Sequence, residues 1–370
     1  MTLDFRAFRS FAARFHAELA TSAVTSWNLR SLGWESSLRR KSAGPTPYHG
    51  YIEVGRRFAL QVCETLKRRN DLGPDSILFA YDTGALEAME WGRKRGIKCV
   101  LNQMDPNRME VELVREEEKH WPGWSTHITE VPEAYFRRRE QEWSLADRVV
   151  VNSEFCRQAL VQQGVPVKKL LVVPLCYEPD QSELKANELP PDLGAKQKKD
   201  PLRVLFLGQV ILRKGIQYLL SAARLLEREN IHFDVVGSIG ISREAVASAP
   251  GNLTFHGRVG RDEAATWYRR ADVFVLPTLS DGFAITQLEA MAHGLPVIST
   301  PCSGAVVTDG MDGFIIPPRN PEALIESLHR YMSDPDLLLK QRVAALEKSK
   351  QFALSRLAEN LLNLEAGLAC

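Results

Sequence analysis

The sequence predicts an α/β protein of two doubly wound domains facing one interdomain cleft, and three observations carry that expectation. From Ser76 to Cys176, short β-rich apolar runs alternate with helix-like segments. The alternation stops over residues 177–200, a polar stretch without periodicity that contains Pro190 and Pro191 in tandem. It then restarts at residue 201 and continues through DGFIIPP. Strands alternating with helices specify βαβ units and a parallel sheet, and 370 residues is long for a single core. The boundaries expected are a first domain over 1–176, a linker over 177–200 and a second domain over 201–350. A C-terminal helix over 351–370 is expected to pack back on the first domain.

Residues 1–75 fit this scheme least. DFRAFRSFAARFHAELA places Phe5, Phe8, Phe11, Phe15 and Leu19 on one face, with Arg6, Arg9 and Arg14 elsewhere. That is the pattern of an amphipathic helix. Two readings stand: the helix covers the first sheet, or it docks on a membrane surface as basic amphipathic helices do. SILFAY, IKCVLNQM, DRVVVNS and KLLVVPL then read as buried strands. Between them, ALEAMEWGRKRG and SEFCRQALVQQG read as helices ending at Gly96 and Gly164. In the second half LRVLFLG, HFDVVG, NLTFHG, ADVFVLP, LPVIST and DGFIIPP are strands with helices between them. Doubly wound sheets bind ligands beyond the carboxyl ends of their strands, so two of them can present facing crevices.

Composition excludes several classes. Charged residues at 25% and hydrophobic residues at 44% are ordinary for a globular chain and argue against disorder. No apolar run reaches the length that spans a bilayer, and no secretory h-region follows the start. The six cysteines show no CxxC or other metal-ligand spacing, and several sit in strand-like runs. Reduced thiols in a cytoplasmic protein are therefore expected. Net charge is +1, but residues 1–70 hold twelve Lys or Arg against five Asp or Glu, a local +7. Such a segment favours an anionic partner surface.

Two stretches carry candidate chemistry. In FLGQVILRKGIQYLLSAARLL a strand ends at Leu207, Gly208 opens a loop, and Arg213, Lys214 and Gly215 lead into a helix. Helix N-terminal amides and a Lys pointing the same way make a phosphate site in principle. The stretch lacks GxGxxG and the P-loop pattern, so neither dinucleotide nor P-loop binding is indicated. In SDGFAITQLEAMAHGLPVIST, Asp281 and Glu289 stand eight positions apart around a loop and a helix. Gly282 permits close backbone approach to a ligand, and the amides near Phe283, Ala284 and Ile285 are expected as unpaired donors. Ile285, Leu288, Met291 and Ala292 would form the core face, leaving Glu289 off it and leaning back toward the loop. The alternative is that Asp281 caps a helix and Glu289 is solvated. Elsewhere, DPD at Asp334–Asp336 reads as a turn, His120 and His293 as helix-terminal histidines, and VREEEKHW as a solvated charge run.

These residues resemble retaining glycosyltransferases of family 4 (glycosyl transferases group 1), which have the GT-B architecture of two Rossmann-like domains. Asp281 and Glu289 match that family's acidic-x7-acidic signature. DGFAITQLEAMAHGLPVIST and CSGAVVTDGMDGFIIPP are similar to its donor-domain motifs, FLGQVILRKG to its diphosphate loop, and VVVNSEFCRQALVQQGV to the last strand–helix unit of its acceptor domain. The resemblance covers roughly residues 76–330. It implies that Glu289 bonds the donor ribose and Asp281 the transferred sugar. The backbone of Gly282, Phe283, Ala284 and Ile285 would bind sugar and diphosphate together with Gly208 and Gln209. Lys214 would neutralise the leaving diphosphate, and the backbone at Arg258 and Val259 would read the base. Two positions depart from the pattern: Gln209 stands where the family usually has Arg, and Met104 where its acceptor domain usually has His. Arg213 is the cation near the first, and Asp105 is the catalytic candidate beside the second.

The function so implied is transfer of a sugar, with retention of configuration, from a nucleotide diphosphate sugar to an acceptor hydroxyl. No cofactor or metal is expected, since the nucleotide sugar is a substrate. The acceptor is a glycan, a lipid-linked molecule or a small molecule. Peripheral membrane contact through the basic first segment is one expectation; nucleic acid is not an expected partner. Two alternatives stay open: a catalytically silent GT-B partner that binds nucleotide sugars, and a sugar-nucleotide epimerase on the same fold.

Overall fold

The computed structural model describes residues 23–25, 48–126, 130–179 and 200–369. The amphipathic stretch from Phe5 to Leu19, most of the expected linker and Cys370 lie outside the described residues.

The first sheet contains β1 (Ile77–Tyr81), β2 (Lys98–Gln103), β3 (Arg148–Val151) and β4 (Leu170–Val172). They lie side by side in sequence order, every pair parallel. Successive side chains on a strand face opposite ways, and both faces of this sheet are apolar. Cys99, Leu101, Val149 and Val151 face one core with Met89, Trp143, Cys156 and Leu160. These last come from α2 (Leu86–Arg93), α4 (Glu133–Leu145) and α5 (Glu154–Gln162). Val100, Val150 and Val173 face the other side, where Leu357, Leu361 and Leu364 of the last helix, α12 (Leu354–Ala369), pack on them. The C-terminal segment thus crosses to the first domain, where the Tyr177 amide donates to the Phe352 carbonyl (3.0 Å).

Before β1 stands α1 (Tyr48–Leu66), which packs through Cys63, Val62 and Leu66 on Ala88 and Trp91 of α2. The sequence hid this helix because its inner stripe is small: Gly55, Ala59 and Cys63 at intervals of four. The helix α3 (Arg108–His120) follows β2 and leaves the first domain to lie against the second.

The second sheet contains β5 (Leu202–Leu207), β6 (Ile231–Val236), β7 (Leu253–Gly257), β8 (Val273–Leu276), β9 (Val297–Ser299) and β10 (Gly313–Ile315). Its order is β10-β9-β8-β5-β6-β7, all parallel. Central strands buried on both faces read as unbroken apolar runs, and Val273, Phe274, Val275 and Leu276 are all buried. The helices α6 (Ile216–Leu225), α7 (Arg243–Ala247), α8 (Arg261–Arg270), α9 (Ile285–Ala292), α10 (Pro321–Ser333) and α11 (Pro335–Ser349) cover it. Strand order reverses between β5 and β8. The loops that leave these two strands therefore diverge and open a crevice. Among the described strands that reversal belongs to the second sheet alone. The turn expected at Asp334–Asp336 is the start of α11, with Asp334 accepting from the Leu337 amide.

Candidate active site

The two loops at the reversal carry the residues singled out in the sequence. After β5 the chain passes Gly208 and the exposed Gln209, then makes a short 3-10 turn over Leu212–Lys214. Gly215 ends that turn with φ 76°, and a Cβ there would sit 1.9 Å from the Pro277 carbonyl oxygen. Only glycine meets both demands, so the turn lies tight against the loop leaving β8. The Arg213 carbonyl accepts from the Leu279 amide (2.9 Å) and the Thr278 hydroxyl (3.2 Å). The Arg213 guanidinium donates back to the Ser280 carbonyl (2.6 Å).

This stitching sets two cations beside two carboxylates. Lys214 Nζ pairs with Asp281 Oδ2, and Arg213 Nη1 lies 3.8 Å from Asp281 Oδ1 and 3.5 Å from Glu110 Oε2. Glu110 comes from the first turn of α3, in the first domain, and also accepts from the Ser280 hydroxyl at 2.8 Å. Lys214 and Asp281 are only 13% and 14% exposed. Burial pushes the Lys214 ammonium below the ordinary lysine range, and the Asp281 carboxylate opposes that shift. Burial likewise pushes the Glu110 carboxyl up against the opposing pull of Arg213.

Several expectations are corrected here. A Cβ at Gly282 would meet the Met104 carbonyl at 2.3 Å and Cys156 Sγ at 3.0 Å. The close approach that glycine permits is thus to the first domain, not to a ligand. The Ala284 amide is not an unpaired donor: it bonds the Ser303 carbonyl at 3.0 Å. The amides of Gly282, Phe283 and Ile285 have no hydrogen-bond acceptor among the described residues. The Phe283 side chain is buried against Phe352. Ile285 is 39% exposed and so is not part of the core face, whereas Leu288 and Met291 are buried. Glu289 is neither core nor merely solvated, because its Oε2 accepts from the Tyr268 hydroxyl at 2.7 Å. Arg258 and Val259 lie on the loop after β7.

VREEEKHW is not simply a solvated run. Glu117 is 0% exposed and accepts from Gln217 Nε2 (2.8 Å), the Tyr218 hydroxyl (2.8 Å) and Arg319 Nε (2.6 Å), all in the second domain. Glu116 takes the other arm of Arg319 at 2.8 Å. Beyond α3, Trp121 packs edge-on to Tyr218, and the Trp124 carbonyl accepts from the Ser242 amide at 2.7 Å. The helix therefore clasps the second domain at both ends: Glu110 at its start, Glu117 and Trp121 at its finish.

On the first-domain side, Asp105 follows β2. Its Oδ1 accepts from Arg139 Nη2 (2.8 Å) and the Asn107 amide (2.8 Å). The same guanidinium pairs with Asp82 at the end of β1, so one buried arginine holds both strand ends. Burial pushes the Asp82 carboxyl up, with Arg139 opposing. Next to Asp82, a cavity of about 580 Å³ runs between α1 and β1, lined by Tyr51, Val54, Tyr81, Thr83 and Tyr135. Among the described residues no group of three or more His, Cys, Asp or Glu is arranged to hold a metal ion.

The structure thus brings Arg213, Lys214, Asp281 and Gly282 together at the second-domain crevice, with Met104 and Glu110 facing them. Sequence reasoning missed Glu110, Ser280, Tyr268 and Glu117. Glu110 had a usable signal: it lies in the first helical turn beyond a strand end that faces the crevice.

Two Rossmann-like domains meeting at the carboxyl ends of their strands, with a cationic turn and an acidic loop at the switch point, define a GT-B protein with a candidate nucleotide-sugar crevice. Comparisons with known proteins agree on the fold. Residues 201–334 match the family profile described as Glycosyl transferases group 1. A D-inositol 3-phosphate glycosyltransferase of Streptomyces griseus is 30% identical over 219 residues, covering 52% of this chain and 45% of that protein. The chain spans about half the length of the curated relatives it matches. Among solved structures, HepE of Anabaena in complex with UDP is similar at TM-score 0.63 and 16% identity, covering 84% of this chain and 82% of that one. Sucrose-phosphate synthase of Thermosynechococcus elongatus is similar at TM-score 0.61 and 19% identity, covering 88% and 82%.

Proposed function

We propose that this chain is a glycosyltransferase that moves a sugar from a nucleotide diphosphate sugar to an acceptor hydroxyl with retention of configuration. The observation that carries the reading is the apposition of Lys214 and Arg213 with Asp281 at the strand-order reversal, within the segment that matches the family profile. The diphosphate would take Lys214, Arg213 and the free amides of Gly282, Phe283 and Ile285. Glu289, set by Tyr268, would bond the ribose, and Asp281 the sugar hydroxyls. Gly208 and Gln209 would line the diphosphate loop, and the backbone at Arg258 and Val259 would face the base. The transition state is oxocarbenium-like, with negative charge growing on the diphosphate. Catalysis then rests on positioning and on cations and amides aimed at that charge. The acceptor oxygen attacks on the face the diphosphate leaves, and a leaving phosphate oxygen takes its proton. Asp105 stands on the acceptor side.

The test is turnover of a panel of UDP-, ADP- and GDP-sugars with and without added acceptors, followed by NMR of the product anomer. Product of inverted configuration would remove retention. One observation favours a second reading, a catalytically silent nucleotide-sugar binder: Gln209 is exposed and uncharged where the family pattern usually carries Arg. Binding of nucleotide sugars without transfer or hydrolysis would establish that reading instead. Peripheral contact of the basic first segment with anionic lipid predicts co-sedimentation with anionic vesicles that falls as salt rises, since exposed charges are screened beyond about 10 Å at 0.1 M. Equal, negligible binding to anionic and neutral vesicles removes it.

A further inference from the structure

Glu110 has no part in the scheme above, yet it reaches from the first domain into the centre of the second-domain crevice. We propose that Glu110 pairs with Arg213 and competes with the donor diphosphate for it, so that donor binding releases this contact between the first turn of α3 and the second domain. This rests on the donor-site reading of Arg213 and Lys214.

The charge balance motivates it. The two cations face two carboxylates, Asp281 and Glu110, and their formal charges cancel. A nucleoside diphosphate brings at least two negative charges into a half-buried space, where repulsion between like charges is felt strongly. Asp281 has other work in the bound state, since a sugar hydroxyl can donate to it. Glu110 has none on the donor side, so it either repels the diphosphate or withdraws. Its two second-domain partners are Arg213 and the Ser280 hydroxyl. The far end of α3 is held separately by Glu117 on Gln217, Tyr218 and Arg319. The start of the helix is held in the first domain by Arg108 on Glu133 and Glu140, so the Glu110 side chain can turn away from Arg213 and Ser280 while the helix stays docked. The geometry makes Glu110 a device that sets donor affinity and links it to the position of the acceptor domain.

The experiment is titration calorimetry of UDP, ADP and GDP into the full chain and its Glu110→Gln, Ser280→Ala and Glu116→Gln variants, with melting curves to confirm folding. Glu110→Gln is expected to bind the preferred nucleotide about tenfold more tightly than wild type, ~1.4 kcal/mol. Ser280→Ala, which removes one of Glu110's two holds, is expected to tighten binding by a smaller factor. Glu116→Gln alters the same helix away from the crevice and is expected to leave nucleotide affinity unchanged. A residue that merely supports the fold would weaken binding when removed, so the sign of the change is diagnostic. Nucleotide binding by wild type with equal or weaker binding by Glu110→Gln overturns the inference and leaves the donor site standing. No binding of any of the three to wild type or variant overturns both. Binding gained only in Glu110→Gln supports the inference in its strongest form.

Discussion

Glu289 shows how one side chain's role depends on what holds it. It projects from α9, and the Tyr268 hydroxyl, itself buried, donates to its Oε2. A carboxylate fixed in this way would lose little further freedom on accepting ribose hydroxyls, the role proposed for it. Glu289→Ala should weaken nucleotide binding by on the order of 1.5–3 kcal/mol, the range of a hydrogen bond to a charged group. Calorimetry with UDP or the preferred nucleotide measures it, and undiminished affinity in a folded variant would remove the ribose assignment. Lys214 behaves differently. It is paired with Asp281, so in the proposed reaction part of its attraction for the ground-state diphosphate would go into breaking that pair. Its contribution would grow as charge builds on the leaving group. Lys214→Ala should therefore lower kcat more than it raises KM; a rise in KM at unchanged kcat would make Lys214 a binding residue only.

At the scale of elements, the strands were legible and the clasp was not. All ten strands fall in runs visible in the sequence; the central ones, such as β8, are apolar along their length because they are buried on both faces. Asp281 and Glu289 were legible because they flank the loop and helix that follow β8, and Lys214 because it lies in the separate strand–loop–helix unit that follows β5. Glu117 was not: Glu116, Glu117 and Glu118 are successive residues about 100° apart on a helix, and only the second domain decides which of them is buried. Gly282 was recognised as a close-approach glycine, but its neighbour, the Met104 carbonyl, is distant in sequence. The helix α1 was hidden because its packing face is Gly55, Ala59 and Cys63 rather than large apolar residues. The clasp gives its own prediction. Glu117→Ala leaves Gln217, Tyr218 and Arg319 without their shared acceptor, while Arg319 keeps Glu116, so the cost is about 1.5–3 kcal/mol, that of a hydrogen bond to a charged group. The melting temperature should fall well below that of Glu118→Ala on the same helix. Equal melting temperatures would mean that the clasp contributes nothing to the junction.

Across the whole molecule, the two domains touch where Gly282 lies over Met104, Asn152 and Cys156. Cys156 therefore reports on the junction. Its sulfur is buried between the first-domain core and the Gly282 loop. Burial pushes its thiol pKa up to about 12. Cys99, in the same core but facing Met89 and Ile97, is pushed up to about 11 by burial. At pH 8 both are almost wholly protonated, and the thiolate is the reactive form. Alkylation then requires that the site open. If the domains separate as units, Cys156 is uncovered while Cys99 stays inside the intact first sheet. Iodoacetamide labelling followed by peptide mass spectrometry should find Cys156 modified before Cys99, and Glu117→Ala should widen that lead by loosening the clasp. Joint labelling of both cysteines at one rate would mean that the first domain unfolds before it parts from the second. The Gly282 contact would then be part of a single cooperative unit and not a hinge between two.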